Sequence, residues 1–204
     1  VTSCDNHEGH EGHAHPPGPL ADASVRRARP TDAPAVGLVQ LQSMRTDYAG
    51  VLPAPALTAI AGLSEADLAG VWRQALTEPP SPRHRLLVAC AGDQVVGLAA
   101  FGPSDDQDGD EETADLATLA VHPRARRQGH GSRLLNAVVD EARGAGFTWL
   151  TTWVPMEAPH MRAFLQGAGM DPDRARRERI VDDAGGTLLE VRLGASLQPA
   201  AGNE

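Results

Sequence analysis

A chain of 204 residues, 41% hydrophobic but only 3% aromatic, has the length of one ordinary domain, with a core built from Ala, Leu and Val. A formal net charge of −9 argues against nucleic acid as a partner, because phosphate backbones need a concentrated basic surface; a cationic substrate remains compatible. No apolar run approaches the roughly 18 residues needed to cross a bilayer, and no signal-peptide pattern is read at the N-terminus. The two cysteines, Cys4 and Cys90, form neither a disulfide framework nor a zinc pair. The expected setting is a reducing cytoplasm, with no membrane partner.

In chain order, residues 1–24 lack apolar periodicity and are dense in Gly, Pro and His, which predicts a disordered tail. His7, His10, His13 and His15 with Glu8 and Glu11 could chelate an ion by composition, but their spacing matches no fixed-geometry site, so no metal is expected. A short strand is predicted over 25–29. Pro30 to Pro34 then opens a helix with Val36, Val39, Leu41 and Met44 on one face. A turn follows at Tyr48 to Pro53. The capping-box pattern at Ser64 to Asp67 starts a second helix through Leu76. Residues 85–91 and 94–101 read as a hairpin around Gly92-Asp93. An acidic loop, Ser104 to Thr113, reads as a solvated hairpin tip or a lure for a cationic acceptor, and it lacks the EF-hand pattern.

A strand over 115–121, a helix over 129–144, a strand over 147–154 and a short helix over 159–167 follow. Trp149 and Trp153 face one side of their strand, where core packing is the first reading and a pocket wall the second. Two strands, 174–181 and 187–193, close the domain, which spans 25–195, and a second disordered tail is expected at 196–204. The order β-α-α-β-β-β-α-β-α-β-β implies an α/β (α+β) class: one mixed sheet with helices on both faces.

The informative stretch is Leu116 to Gly131. A strand ends at Val121-His122-Pro123, a basic turn follows, and Gly129 and Gly131 open an amphipathic helix. A helix start offers unpaired N–H groups and a positive dipole end, and glycines let a pyrophosphate approach the backbone. Arg126 and Arg127 add charge nearby. There is no Walker Lys-Ser/Thr pair, and no dinucleotide fingerprint, since Leu134 and Trp149 occupy its third-glycine and acidic positions. Two glycines at a helix start also serve as a plain tight turn.

Leu119-Ala120-Val121-His122-Pro123 followed by Arg126-x-x-Gly129-x-Gly131 resembles the signature of the GCN5-related N-acetyltransferase (GNAT) family. Gly169-Met170 resembles that family's usual Gly-Phe ending, and Tyr48-x-Gly50-x-Leu52-Pro53 its substrate-side loop. The resemblance covers about residues 25–195 and implies a single mixed, mostly antiparallel sheet. It implies acetyl-CoA as co-substrate, with the amides of Arg127, Gln128, Gly129, His130, Gly131 and Ser132 cradling the pyrophosphate. The strand at Leu119, Ala120 and Val121 would hold pantetheine, and an N–H near Leu119 or Ala120 would act as oxyanion donor. The implied reaction is direct attack by a primary amine, in a monomer or homodimer.

Asp115 matches the position where many family members place a Glu and is the candidate base, acting directly or through water. Leu165 stands where the family's usual acid, a Tyr, is expected, and Ala158 where its Asn is common. Tyr48, the one tyrosine of the sequence, is the candidate substitute acid or a shaper of the acceptor pocket. His160 and Glu157 are minor candidates near the cofactor side. The missing acid motivates a second reading, a catalytically weak acyl-CoA-binding sensor or scaffold.

Overall fold

The computed structural model describes residues 23–183 and 185–198. The His-rich segment, for which disorder and no metal site are expected, lies outside the described residues. The strands are β1 Ala23–Arg27, β2 Arg85–Ala91, β3 Gln94–Pro103, β4 Thr113–Val121, β5 Trp149–Pro155, β6 Asp171–Ile180 and β7 Thr187–Ser196. The helices are α1 Ala33–Asp47, α2 Ala54–Gly62, α3 Glu65–Thr77, α4 His130–Gly144 and α5 Pro159–Gly167. One seven-stranded sheet runs β1-β2-β3-β4-β5-β7-β6, and every pairing is antiparallel except β4 with β5. The expected mixed, mostly antiparallel α+β architecture is what the chain adopts.

Local chemistry explains most element boundaries. The hairpin between β2 and β3 turns at Gly92, whose φ of 57° is left-handed backbone that glycine adopts without strain. Ser64 caps α3, accepting from the Asp67 N–H while the Asp67 carboxylate accepts from the Ser64 N–H. On α4 the stripe Leu134, Leu135, Val138 and Ala142 is buried, as the 3.6-residue period requires.

The structure departs from the sequence reading at α2. Its residues, Ala54 to Gly62, are apolar or small all round and give no amphipathic stripe to detect. Pro53 and Pro55 suggest a turn, although a proline in the first turn also suits a helix start. The sheet also begins at Ala23 and ends at Ser196, slightly outside the predicted domain limits.

Two hydrophobic layers flank the sheet. Leu87, Ala99, Phe101, Leu116 and Leu150 pack with the α4 stripe and Leu165 of α5. Leu86, Val88, Cys90 and Leu98 pack with Val36 and Val39 of α1, with Trp72 and Leu76 of α3 alongside. Among the described residues no helix is long and apolar enough to cross a membrane.

Candidate functional site

The sheet splits at its one parallel pairing. β4 and β5 are in register over three pairs, Thr113↔Trp149, Ala114↔Leu150 and Asp115↔Thr151, and then part. Two threonine hydroxyls make ties at the fork: Thr151 Oγ1 donates to the Ala114 carbonyl at 3.1 Å and Thr152 Oγ1 to the Leu116 carbonyl at 2.8 Å. Against β3 the register jumps from Phe101↔Leu116 to Ala100↔Thr118, leaving Ala117 as an extra residue in a β-bulge. Side-chain direction shows the same break. Ala114 and Leu116 face the α4 layer, and so do Leu119 and Val121, an odd step that alternation alone forbids.

The fork holds a cleft of about 330 Å³ that reaches both faces of the sheet. Met161, Phe164 and Leu165 of α5 line its mouth on the α4 side. Tyr48, Asp115, Trp153, Arg177, Arg179 and Glu190 line the other. Asp115 and Tyr48, the two candidate catalytic residues, therefore share one cavity with Leu119 and Ala120.

Backbone direction separates the two candidate oxyanion donors. His122 N–H donates to the Val96 carbonyl at 2.8 Å, so the peptide groups of alternate residues 120 and 122 face β3. The Leu119 N–H consequently faces the open edge. The Ala120 peptide is turned toward β3, where its oxygen would lie 3.1 Å from a Cβ on Gly97.

Beyond the strand, Arg127 (φ 64°) and Gly129 (φ 80°) both adopt left-handed backbone. Such alternation makes a concave nest of N–H groups. It leads into α4, whose first N–H groups have no intrahelical acceptor; Arg133 N–H is the one that first donates back, to the Gly129 carbonyl at 3.1 Å. A Cβ on Gly131 would meet Phe164 Cζ at 3.3 Å, so this glycine lets the helix start press against the ring that lines the cleft. His130 is buried, and burial followed by the nearby Arg133 cation lowers its pKa, so its ring adds no charge to the turn. The Arg126 guanidinium does not face outward. It forms a two-pronged ion pair with Asp47 of α1, at 2.8 Å on each prong, and donates to the Val121 carbonyl at 3.1 Å. Ser43 of α1 donates to the same carbonyl at 3.0 Å. α1 thus braces the free end of β4.

On the α1 face Asp115 is largely buried, and its Oδ1 has no hydrogen-bond partner. Burial, reinforced by the Asp106 carboxylate and opposed by Arg177, pushes its carboxyl up to about 6. Burial also raises the Tyr48 hydroxyl, which keeps it protonated. Asp115 and Ala117 also wall a second cavity of about 360 Å³ under α3, lined by Trp72, Leu76, Phe101 and Pro103.

Several sequence readings change here. Trp153 is a cleft wall, and Trp149 is 40% exposed, so neither is a core residue. The acidic loop is the exposed hairpin tip expected between β3 and β4, but it is not an open lure, because several of its carboxylates are engaged. Asp106 accepts from Trp153 Nε1 at 2.9 Å, and Arg192 binds Asp106, Asp108 and Asp173 at 3.0, 2.6 and 2.6 Å. Glu157 and His160 are exposed and do not line the cleft. Among the described residues no group of His, Cys, Asp or Glu is arranged to hold a metal. Residues missed by sequence reasoning are Gln40, Ser43, Arg177, Arg179 and Glu190. The signal available for the last three was a run of arginines in β6 facing an isolated glutamate in β7.

Residues 55–170 match the family model for the acetyltransferase (GNAT) family. The chain belongs to that family. It is similar to the mycothiol acetyltransferase of Rhodococcus erythropolis, 42% identical over 77 residues, which is 38% of this chain and 23% of that protein. It is also similar to the mycothiol acetyltransferase of Amycolatopsis mediterranei, 32% identical over 114 residues, 55% of this chain and 35% of that protein. The chain thus spans about a third or less of the length of these relatives. In structure it resembles a Salmonella typhimurium protein solved with its cofactor acetyl-CoA: TM-score 0.63, 18% identity, covering 89% of this chain and 98% of that one. At that identity the likeness speaks to the fold.

Proposed function

We propose that the GNAT domain is an N-acetyltransferase that moves an acetyl group from acetyl-CoA to a primary amine by direct attack in a ternary complex. The observation that carries this reading is the parting of β4 from β5 beyond Asp115. It leaves a strand edge with an unpaired amide beside a cavity open on both faces of the sheet. The residues fit the co-substrate. The nest at Arg127 to Gly129 and the first amides of α4 suit a pyrophosphate. The bare edge at Leu119 suits a pantetheine amide, and the Leu119 N–H suits a developing oxyanion. Arg126 contributes by bracing the turn through Asp47.

Asp115 acts as the base. It takes the first proton that the ammonium must lose, directly or through one water, so that the free amine attacks the thioester; as the tetrahedral intermediate collapses the thiolate leaves and the nitrogen gives its second proton to solvent. A thiol with an ordinary pKa of about 8.5 leaves tolerably without an acid. Tyr48, protonated and lining the same cavity, can donate a proton to the departing thiolate.

One observation favours a second reading, an acyl-CoA-binding module with little turnover: the cleft presents the hydrocarbon of Leu165 where the family's usual acid would be. Purified protein with acetyl-CoA and a panel of amines, read by thiol release alongside calorimetry with CoA, separates the two. Tight CoA binding with thiol release at background would overturn the enzyme reading in favour of the module.

A further inference from the structure

We propose that the acceptor is a zwitterion, an amino acid or a small peptide, whose amine is received by Asp115 and whose carboxylate is received by Arg177 and Arg179. This rests on the transferase reading. The α1-side mouth of the cleft holds two guanidiniums for one partner. Arg177 Nε donates to Glu190 Oε2 at 2.7 Å, and an Arg179 terminal nitrogen donates to Glu190 Oε1 at 3.0 Å. The Glu190 side chain is 4% exposed, while those of Arg177 and Arg179 are 42% and 50% exposed. One buried carboxylate, with both oxygens engaged, therefore holds two partly exposed cations that line the cavity. The cluster carries a net charge of +1.

Rigidity supports the same reading. Arg177 and Glu190 are cross-strand partners in the register of β6 and β7, and the Arg177 guanidinium lies 4.3 Å from the centre of the Trp153 ring. A guanidinium held this way presents its free fork in a fixed direction, and a fork matches the two oxygens of a carboxylate.

Charge placement selects the ligand class. Asp115 feels the Arg177 cation from the same cavity, so the mouth offers an anion to an ammonium and a cation to an acid group at close quarters. An acceptor with an amine alone would pair with Asp115 but leave both guanidiniums without an anionic partner from the ligand, so it binds less well than a zwitterion. The CoA phosphates are not the intended anion, because the phosphate-suited turn opens α4, on the opposite face of the sheet.

The test compares alanine and a short dipeptide with their C-terminal amides as acceptors of acetyl-CoA. The free acids are expected to be used with kcat/KM about 10–100-fold above the amides, most of it in KM. In Arg177→Gln, and separately in Arg179→Gln, that preference should shrink to a few-fold. Equal use of acid and amide by the native protein, or a preference untouched in both variants, overturns the proposal. If no acceptor turns over, calorimetry of the same pairs in the presence of CoA decides. Preferential binding of the acid, lost in Arg177→Gln, upholds the zwitterion site while the transferase reading falls. Equal binding of acid and amide, or binding of neither, removes the site.

Discussion

For the base proposed at Asp115, two requirements compete. Burial keeps the carboxylate away from bulk water, yet it makes the charged form costly. The outcome is a carboxyl raised from an ordinary 3.8 to about 6. That value leaves the group mostly ionised at neutral pH and basic enough to matter. kcat/KM is therefore expected to rise with pH through about 6, and Asp115→Asn should lower it by about 10²–10⁴ and erase that limb. Stability follows the opposite sign. A raised folded pKa means that folding favours the protonated form, a contribution fully present below 3.8 and lost as pH climbs through about 6. Asp115→Asn should then be more stable than the native protein at pH 8, by up to about 3 kcal/mol, and nearly equal to it at pH 3.5. Urea denaturation at the two values checks this. A gain of the same size at both would mean that the charge is not what burial penalises.

Among the elements, the loop from β4 to α4 depends on a helix far from it in sequence. The Asp47–Arg126 pair and the bond from Ser43 to the Val121 carbonyl pin the end of β4 and the turn to α1. Asp47→Ala and Arg126→Ala should each cost about 0.5–1.5 kcal/mol, and the double variant less than their sum, because each removes the same partly exposed bond. The single changes should also weaken CoA binding by loosening the nest, whereas an additive double variant would mean no such bond exists in solution. Within the turn, Gly129→Glu should abolish CoA binding measured by calorimetry. The side chain would enter a left-handed site at φ 80° and place a negative charge where phosphate is expected. Unchanged affinity would move the phosphate site elsewhere.

Elements of this kind show what the sequence made legible. α4 has a periodic stripe and an opening glycine, α5 begins at Pro159, and the β2–β3 hairpin turns on Gly92, so each has a local cause. α2 has none, because apolar residues all round its axis erase the period. The proposed cofactor half of the site rests on a local signal for the same reason, being a continuous stretch from Leu116 to Ser132. The proposed acceptor half has no such signal. Trp153, Arg177, Arg179 and Glu190 come from three strands and meet only because β7 inserts between β5 and β6. Read along the chain, the arginines of β6 look like a solvated edge strand.

At the scale of the molecule, the fork divides the sheet into two halves joined by three residue pairs between β4 and β5. The α4 layer and the Thr151 and Thr152 bonds also span the fork, and Arg192 of β7 adds a tie on the α1 face. Its side chain is 11% exposed and reaches across to Asp106 and Asp108 in the loop from β3 to β4, as well as to Asp173 of its own hairpin. Trp153 reinforces this clasp by donating to Asp106. Arg192→Met keeps the packing length but leaves three carboxylates without their cation, and should cost about 2–4 kcal/mol in urea denaturation near pH 7. The cost should depend on pH. Hydrogen bonding to Arg192 holds the Asp108 carboxyl below its ordinary value, so that contribution is present above the unfolded pKa and is lost as pH falls through the folded one. Native and variant proteins should therefore converge in strongly acid solution. Amide exchange should quicken over residues 104–112 in the variant while α4 keeps its protection, because the clasp ties the loop and not the α4 layer. Faster exchange spread evenly over both halves would mean that Arg192 supports the whole fold, and unchanged exchange over 104–112 would mean that the clasp does not hold the loop.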